Sequence, residues 1–105
     1  MRPELENIPL IKNEERKRFE IEIEGHYAFI NYKEDGHQIT LVHTETDPKL
    51  SGKGTTTAVL EKILLYLKNN KLSFTPFCPF VFTYIKKHPE WKYLVDKEFS
   101  GYNNL

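Results

Sequence analysis

The stretch Lys49–Thr57, KLSGKGTTT, stands directly before the apolar-periodic run AVLEKILLYLKNN. No other junction in the chain restricts the fold as much. Gly52 and Gly54 allow a sharp turn and leave the backbone open to close approach, because neither carries a Cβ. In the run that follows, Leu60, Ile63, Leu64 and Leu67 recur at i, i+3, i+4 and i+7, the spacing of one helix face. Glu61, Lys62 and Lys68 fall off that stripe, and Asn69 and Asn70 suit a helix stop. A glycine turn therefore feeds a helix over Thr55–Asn69. The first N–H groups of such a helix have no intrahelical acceptor, and its dipole favours an anion there. Lys53 adds positive charge, and Thr55 and Thr56 bring hydroxyl donors.

Before this junction the period is two. Phe19, Ile21 and Ile23 alternate with Arg18, Glu20, Glu22 and Glu24, which predicts a strand with one wet face near a sheet edge. HYAFINYK (26–33) has large apolar groups on both parities, the pattern of a strand buried on both sides. Glu34-Asp35-Gly36 is a hairpin signal, and QITLVHTE (38–45) follows at once, completing an antiparallel meander. Beyond the helix, LSFTPFC (72–78) predicts another strand, so strand, crossover helix and strand imply a right-handed parallel connection. Pro79 suits the first position of a short helix, FVFTYIKK, that ends before Pro89. Aromatic residues such as Phe74, Phe77, Phe80, Phe82 and Trp91 read mostly as core.

The chain has 105 residues, the length of one domain, with a core expected over about 13–95 and fraying expected at Met1–Asn7 and Ser100–Leu105. Its 15 basic and 15 acidic residues balance, which gives no reason to expect nucleic acid or an acidic membrane as partner. Acids and prolines in the first dozen residues argue against a signal peptide, and no apolar stretch is long enough to span a bilayer. The single cysteine, Cys78, has no internal disulfide partner, which fits a reducing compartment and a cytoplasmic location. Four histidines and Cys78 show no metal-ligand spacing; no metal is expected.

Two phosphate motifs are excluded. A Walker loop needs a glycine at a set place upstream, where none sits, and Gly-Lys running into Ser or Thr, where Gly54 follows Lys53 here. A Rossmann fingerprint needs G-x-G-x-x-G after a parallel strand. What the chain does have is strand, Lys49-Leu50-Ser51-Gly52-Lys53-Gly54, long helix, strand and short helix. That order resembles the core of the GNAT acetyltransferase superfamily, whose loop is Gln/Arg-x-x-Gly-x-Gly/Ala, with lysine here in first place. The runs HTETDPKLSGKG and FCPFVFTYIKKHPEW are similar to the short, stand-alone members, and the resemblance extends from about Asn13 to Val95. It implies an α+β (α/β) fold of minimal GNAT type, an antiparallel meander joined to a parallel strand by a crossover helix. It implies acetyl-CoA as cosubstrate, its diphosphate on the N–H groups of Gly52, Lys53, Gly54, Thr55 and Thr56, its pantetheine arm along Thr44, Glu45 and Thr46. The partner is then an amine-bearing acceptor, small molecule or protein. The N-terminal helices and C-terminal strands of larger members are not expected from these residues, which leaves the acceptor side undetermined, and a monomer and a homodimer both remain open.

Four residues carry candidate chemistry. Cys78, just before Pro79, meets the positive end of a helix dipole, which favours a thiolate and a covalent acetyl relay. A buried, inert thiol is the alternative, and the resemblance places a cysteine of this motif near the acetyl group. Tyr84 shares a helix face with Phe80 and His88; it either packs in the core or donates a proton to the leaving thiolate, as a tyrosine of this region does in the resembled superfamily. His43 and Glu45 are expected on the strand face of Ile39 and Leu41. Either serves as base for an incoming ammonium, or His43 is an ordering histidine and Glu45 a solvated strand end. The leading reading is an acetyl-CoA-dependent N-acetyltransferase acting on a primary amine by direct attack. The alternatives are a non-catalytic CoA or acyl-CoA binder and an interaction adaptor.

Overall fold

A computed structural model describes all 105 residues. Five strands form one sheet in chain order: β1 (Ile11–Asn13), β2 (Arg18–Ile23), β3 (His26–Asp35), β4 (Gln38–Thr46) and β5 (Ser73–Pro76). The first four pair antiparallel, and β5 lies parallel to β4. Helices α1 (Pro3–Glu6), α2 (Thr55–Asn69) and α3 (Pro79–Lys87) complete the fold, with 3₁₀ turns at Pro48–Leu50, Pro89–Leu94 and Tyr102–Asn104. The expected meander, crossover helix, parallel strand and short helix are all present.

The hairpins follow from local chemistry. Gly36, at φ +61°, opens the two-residue loop between Asp35 and its partner Gln38, a backbone region that glycine enters without a Cβ clash. Strand β1 was not legible, since three residues with a lysine at their centre carry no usable alternation.

The apolar stripe of α2 buries Ala58, Val59, Leu60, Ile63, Leu64 and Leu67 across β2, β3 and β4, while α3 covers β5 with Val81 and Ile85. On the sheet they meet Phe19, Ile21, Ala28, Ile30, Tyr32, Ile39, Leu41 and Phe74 in one core cluster. The expectation that β3 is buried on both sides is corrected here. Ala28, Ile30 and Tyr32 are buried, but Phe29 is half-buried and Tyr27 is 37% exposed. Hairpins join β1 to β4, and the only crossover places its helix on one side, so the other face has no covering layer. Phe77, expected in the core, lies on that open side at 67% exposure, because β5 sends Phe74, Pro76 and Cys78 toward the helices.

Both ends are packed rather than frayed. Leu5 of α1 is buried, and Lys62 of α2 donates to the Glu6 carbonyl at 3.2 Å. Phe99, Tyr102 and Leu105 rest against the core, with Phe82 and Phe99 in edge contact at 6.2 Å.

Because Ile63 is fully buried at the centre of the α2 stripe, Ile63→Ala is expected to cost about 2–5 kcal/mol through lost burial and a residual cavity. Urea unfolding monitored by circular dichroism measures this; an unchanged midpoint would contradict the packing.

Candidate functional site

The site begins where two parallel strands part. Pairing between β4 and β5 ends at Leu41↔Pro76, while β4 continues to Thr46. Beyond that pair, the Cys78 N–H donates to the Leu41 carbonyl at 2.9 Å and the chain turns into α3 with Pro79 at its start. The β4 segment Val42–Thr46 therefore has β3 on one edge and no strand on the other, leaving a cleft beside a backbone edge. Val42 is also an extra residue in the β3–β4 ladder, since Tyr32 pairs with Leu41 and Asn31 with His43. This one-residue bulge exchanges the two faces of everything after it.

That exchange corrects the placing of two candidates. His43 and Glu45 do not share the face of Ile39 and Leu41; they stand on the open face, with side chains 61% and 63% exposed and 3.5 Å apart. Thr44 and Thr46 turn toward the helices instead. Thr44 Oγ1 is 3.0 Å from Cys78 Sγ, and Thr46 Oγ1 is hydrogen-bonded to Thr56 Oγ1. Thus Thr44 ties β4 to the start of α3, and Thr46 ties it to the start of α2.

At that second tie lies a groove of about 460 Å³. It is lined by Thr46, Gly52, Gly54 and Thr55–Thr57, within the usual range for a ligand site. Gly54 is the residue before α2, at φ +72°, with no side-chain cap. The first helical hydrogen bond is Ala58 N–H to the Gly54 carbonyl, so the N–H groups of Gly54, Thr55, Thr56 and Thr57 have no protein acceptor, nor has that of Gly52. No acidic side chain occupies the first turn of α2, so nothing of the protein's own neutralises its positive end. The Thr55 hydroxyl turns inward, 3.5 Å from the Leu50 carbonyl; Thr55 and Thr56 offer the groove backbone rather than free hydroxyls. Lys53 does not line this groove but a separate hollow shared with Lys49, Glu24 and His26. The cation resting on the loop is Arg2, whose Nη2 donates to the Gly52 carbonyl at 3.3 Å. Arg2 was missed in the sequence, and no local signal connects it to a glycine loop so distant along the chain.

Asp47 braces the loop from behind. It accepts from the Lys49 N–H at 2.9 Å and from the His26 ring Nδ1 at 2.8 Å, joining β3 to the turn that leads into Gly52. Tyr84 is on α3, roughly 9 Å along the helix axis from Cys78 at 1.5 Å per residue, and is stacked on His88 at 4.3 Å between ring centres. Burial first, then the carboxylates of Glu61 and Glu90, push its hydroxyl pKa up, so it stays protonated at neutral pH. Cys78 is only 4% exposed. The structure thus unites Thr44 with Cys78, and Thr46 with the loop, and leaves Tyr84 and the His43–Glu45 pair on other walls.

The Lys49 amide, then the His26 ring, hold the Asp47 carboxylate below the usual aspartate range. A depressed pKa means that bracing is complete above the ordinary value, about 4, and is lost as pH falls through the folded value. The Lys49 amide proton shift is expected to titrate with a midpoint below that value and to stop titrating in Asp47→Asn. A midpoint at or above it would contradict the bracing.

The fold agrees with that of known proteins. Residues 18–94 match the family model described as GCN5-related N-acetyl-transferase. The solution structure of a GCN5-like protein from Staphylococcus aureus superposes with a TM-score of 0.65, covering 87% of this chain and 90% of that one at 22% identity; at that identity the likeness shows the fold. Since the family model spans well over half of its length, the chain belongs to the GCN5-related N-acetyltransferase family.

Proposed function

We propose that the protein is an acetyl-CoA-dependent N-acetyltransferase that acts on a primary amine. The observation that carries this reading is the set of five unaccepted N–H groups, those of Gly52 and Gly54–Thr57, on a groove continuous with the unpaired edge of β4. Charge-assisted hydrogen bonds from backbone amides are among the strongest a protein offers an anion. The glycines leave room for a diphosphate against the main chain, and the edge Val42–Thr46 suits an arm rich in amides.

Acetyl-CoA supplies an activated thioester. Every other requirement falls to residues of the chain. The amides of Gly52 and Gly54–Thr57 hold the phosphates, that of Lys53 being engaged with the Leu50 carbonyl, and Thr44–Thr46 align the arm so that it points toward Thr44 and Cys78. An amine attacks only when neutral, so a base is needed near neutral pH. His43 and Glu45, exposed beside the bulge, are placed to accept the proton from the amine on the open side of the sheet. Tyr84, protonated at neutral pH, is the proton source on α3 for the departing thiolate. Cys78 is buried and already hydrogen-bonded to Thr44, which favours direct attack by the amine with Cys78 lining the site.

Two variants separate these parts. Gly54→Asp puts a negative charge where the phosphates bind, and Gly54→Asn is its neutral counterpart; both side chains tolerate the left-handed backbone better than most. Calorimetry should find CoA affinity weaker for the aspartate variant than for the asparagine one by about tenfold or more, some 1.4 kcal/mol. Equal affinities would remove the loop assignment. Cys78→Ala is expected to retain acetyl transfer within about threefold, whereas loss of a covalent nucleophile costs orders of magnitude. Mass spectrometry after exposure to acetyl-CoA should show no lasting acetyl on Cys78, and a stoichiometric adduct would favour relay.

A further inference from the structure

The open face of the sheet carries a second groove, of about 360 Å³, lined by Arg18, Tyr27, Phe29, Glu45, Thr46 and Asp47, with Pro48 closing it. It shares Thr46 and Pro48 with the glycine-loop groove, so the two meet at the end of β4. Arg18 Nε donates to the buried carboxylate of Glu20 at 2.6 Å, and its guanidinium carbon lies 4.1 Å from the centre of the Phe29 ring and 5.5 Å from that of Tyr27. The Nε bond and the ring fix the plane of the guanidinium. Its terminal nitrogens make no hydrogen bond to the protein, leaving the edge that pairs with a carboxylate in two parallel bonds. Glu45 is the direct cross-strand neighbour of Phe29, so its backbone lies one strand spacing, ~5 Å, from that of the residue on whose ring the guanidinium rests. The side chain that meets the Glu45 carboxylate is the His43 ring, its Nε2 at 3.5 Å.

Resting on the reading above, we infer that this groove seats the acceptor and that the acceptor is an amino-carboxylate, of the class of amino acids. Its carboxylate lies on the free edge of Arg18 and its ammonium faces Glu45 and His43. The open fork of Arg18, whose Nε side is taken by Glu20, and the Glu45 carboxylate on the neighbouring strand pair complement a zwitterion. Asp47, the other carboxylate of the lining, is already bonded to the Lys49 N–H and the His26 ring. A diamine puts its second cation against Arg18, and a dianion puts its second carboxylate against Glu45. The Tyr27 ring, next to the Phe29 ring that the guanidinium covers, adds apolar surface to the groove. The ammonium end faces His43, next to the bulge at Val42 and therefore next to the cleft in which the thioester is aimed.

The test pairs amines that differ by the carboxylate alone: L-lysine against pentane-1,5-diamine, and L-phenylalanine against 2-phenylethylamine. Each is titrated into ¹⁵N-labelled protein with CoA present, and acetyl transfer is followed in parallel. The expected result is amide shifts at Arg18, Phe29 and Glu45, with the carboxylate-bearing member of each pair binding about tenfold tighter, the scale of one charge-assisted hydrogen-bond pair. Arg18→Lys keeps the charge beside Glu20 but loses the fork, and it should abolish that preference while leaving the response of residues 52–57 to CoA intact. Glu45→Gln should weaken both members of a pair alike. Equal or tighter binding of the plain amines, an undiminished preference in Arg18→Lys, or shifts confined elsewhere would overturn the inference. If residues 52–57 ignore CoA while the groove still selects the carboxylate, the acceptor site stands and the CoA reading falls. The converse result overturns the acceptor site alone.

Discussion

The parting of β4 from β5 after Leu41↔Pro76 is the constraint on which the rest depends. A parallel pair that ran on to Thr46 would close its own ladder and leave no edge for a ligand. Pro76, at the last position of β5, has no N–H to continue it, and the Cys78 N–H makes one further bond to Leu41 before Pro79 starts α3. The chain thus leaves the sheet by proline chemistry at both ends of a two-residue link. Thr44 and Thr46 then hold β4 to α3 and to α2, fixing the width of the opening.

The same geometry concentrates unsatisfied donors at one spot. A helix start usually gains a side-chain cap or an acid in its first turn; α2 has neither, and a glycine stands before it. The hydroxyls of the first turn are engaged elsewhere, Thr55 on Leu50 and Thr56 on Thr46. This is a locally unfavourable arrangement, and the packing of Leu60, Ile63, Leu64 and Leu67 offsets it. Asp47, bonded to His26 and Lys49, keeps the turn in shape from the opposite side. The binding reading rests on this coincidence of donors and space rather than on Lys53, which lines a different hollow.

Much of the fold was legible because period two and period 3.6 are strong signals over β2–β4 and α2, and because glycine and proline mark the turns. The glycine loop and Cys78 were legible as well, from helix-end chemistry and from the motif that resembles the family. The faces of His43 and Glu45 were not. Alternation counted from Ile39 and Leu41 is correct only without an insertion, and the bulge at Val42 leaves no trace in composition. Arg2 and Arg18 were missed for a different reason. Each is held by a partner that only folding supplies, Arg2 by the Gly52 carbonyl and Arg18 by the Phe29 ring on the next strand. Phe77 was misjudged because an aromatic residue on a short strand reads as core whether or not its face is covered.

Of the possible measurements, a crystal structure of the chain grown with CoA bears most directly on the reading of the loop. The diphosphate oxygens should lie within hydrogen-bond distance of the amides of Gly52 and Gly54–Thr57, with the pantetheine arm against Val42–Thr46 and its sulfur toward Thr44 and Cys78. CoA bound on another surface, with those amides still facing solvent, would contradict it.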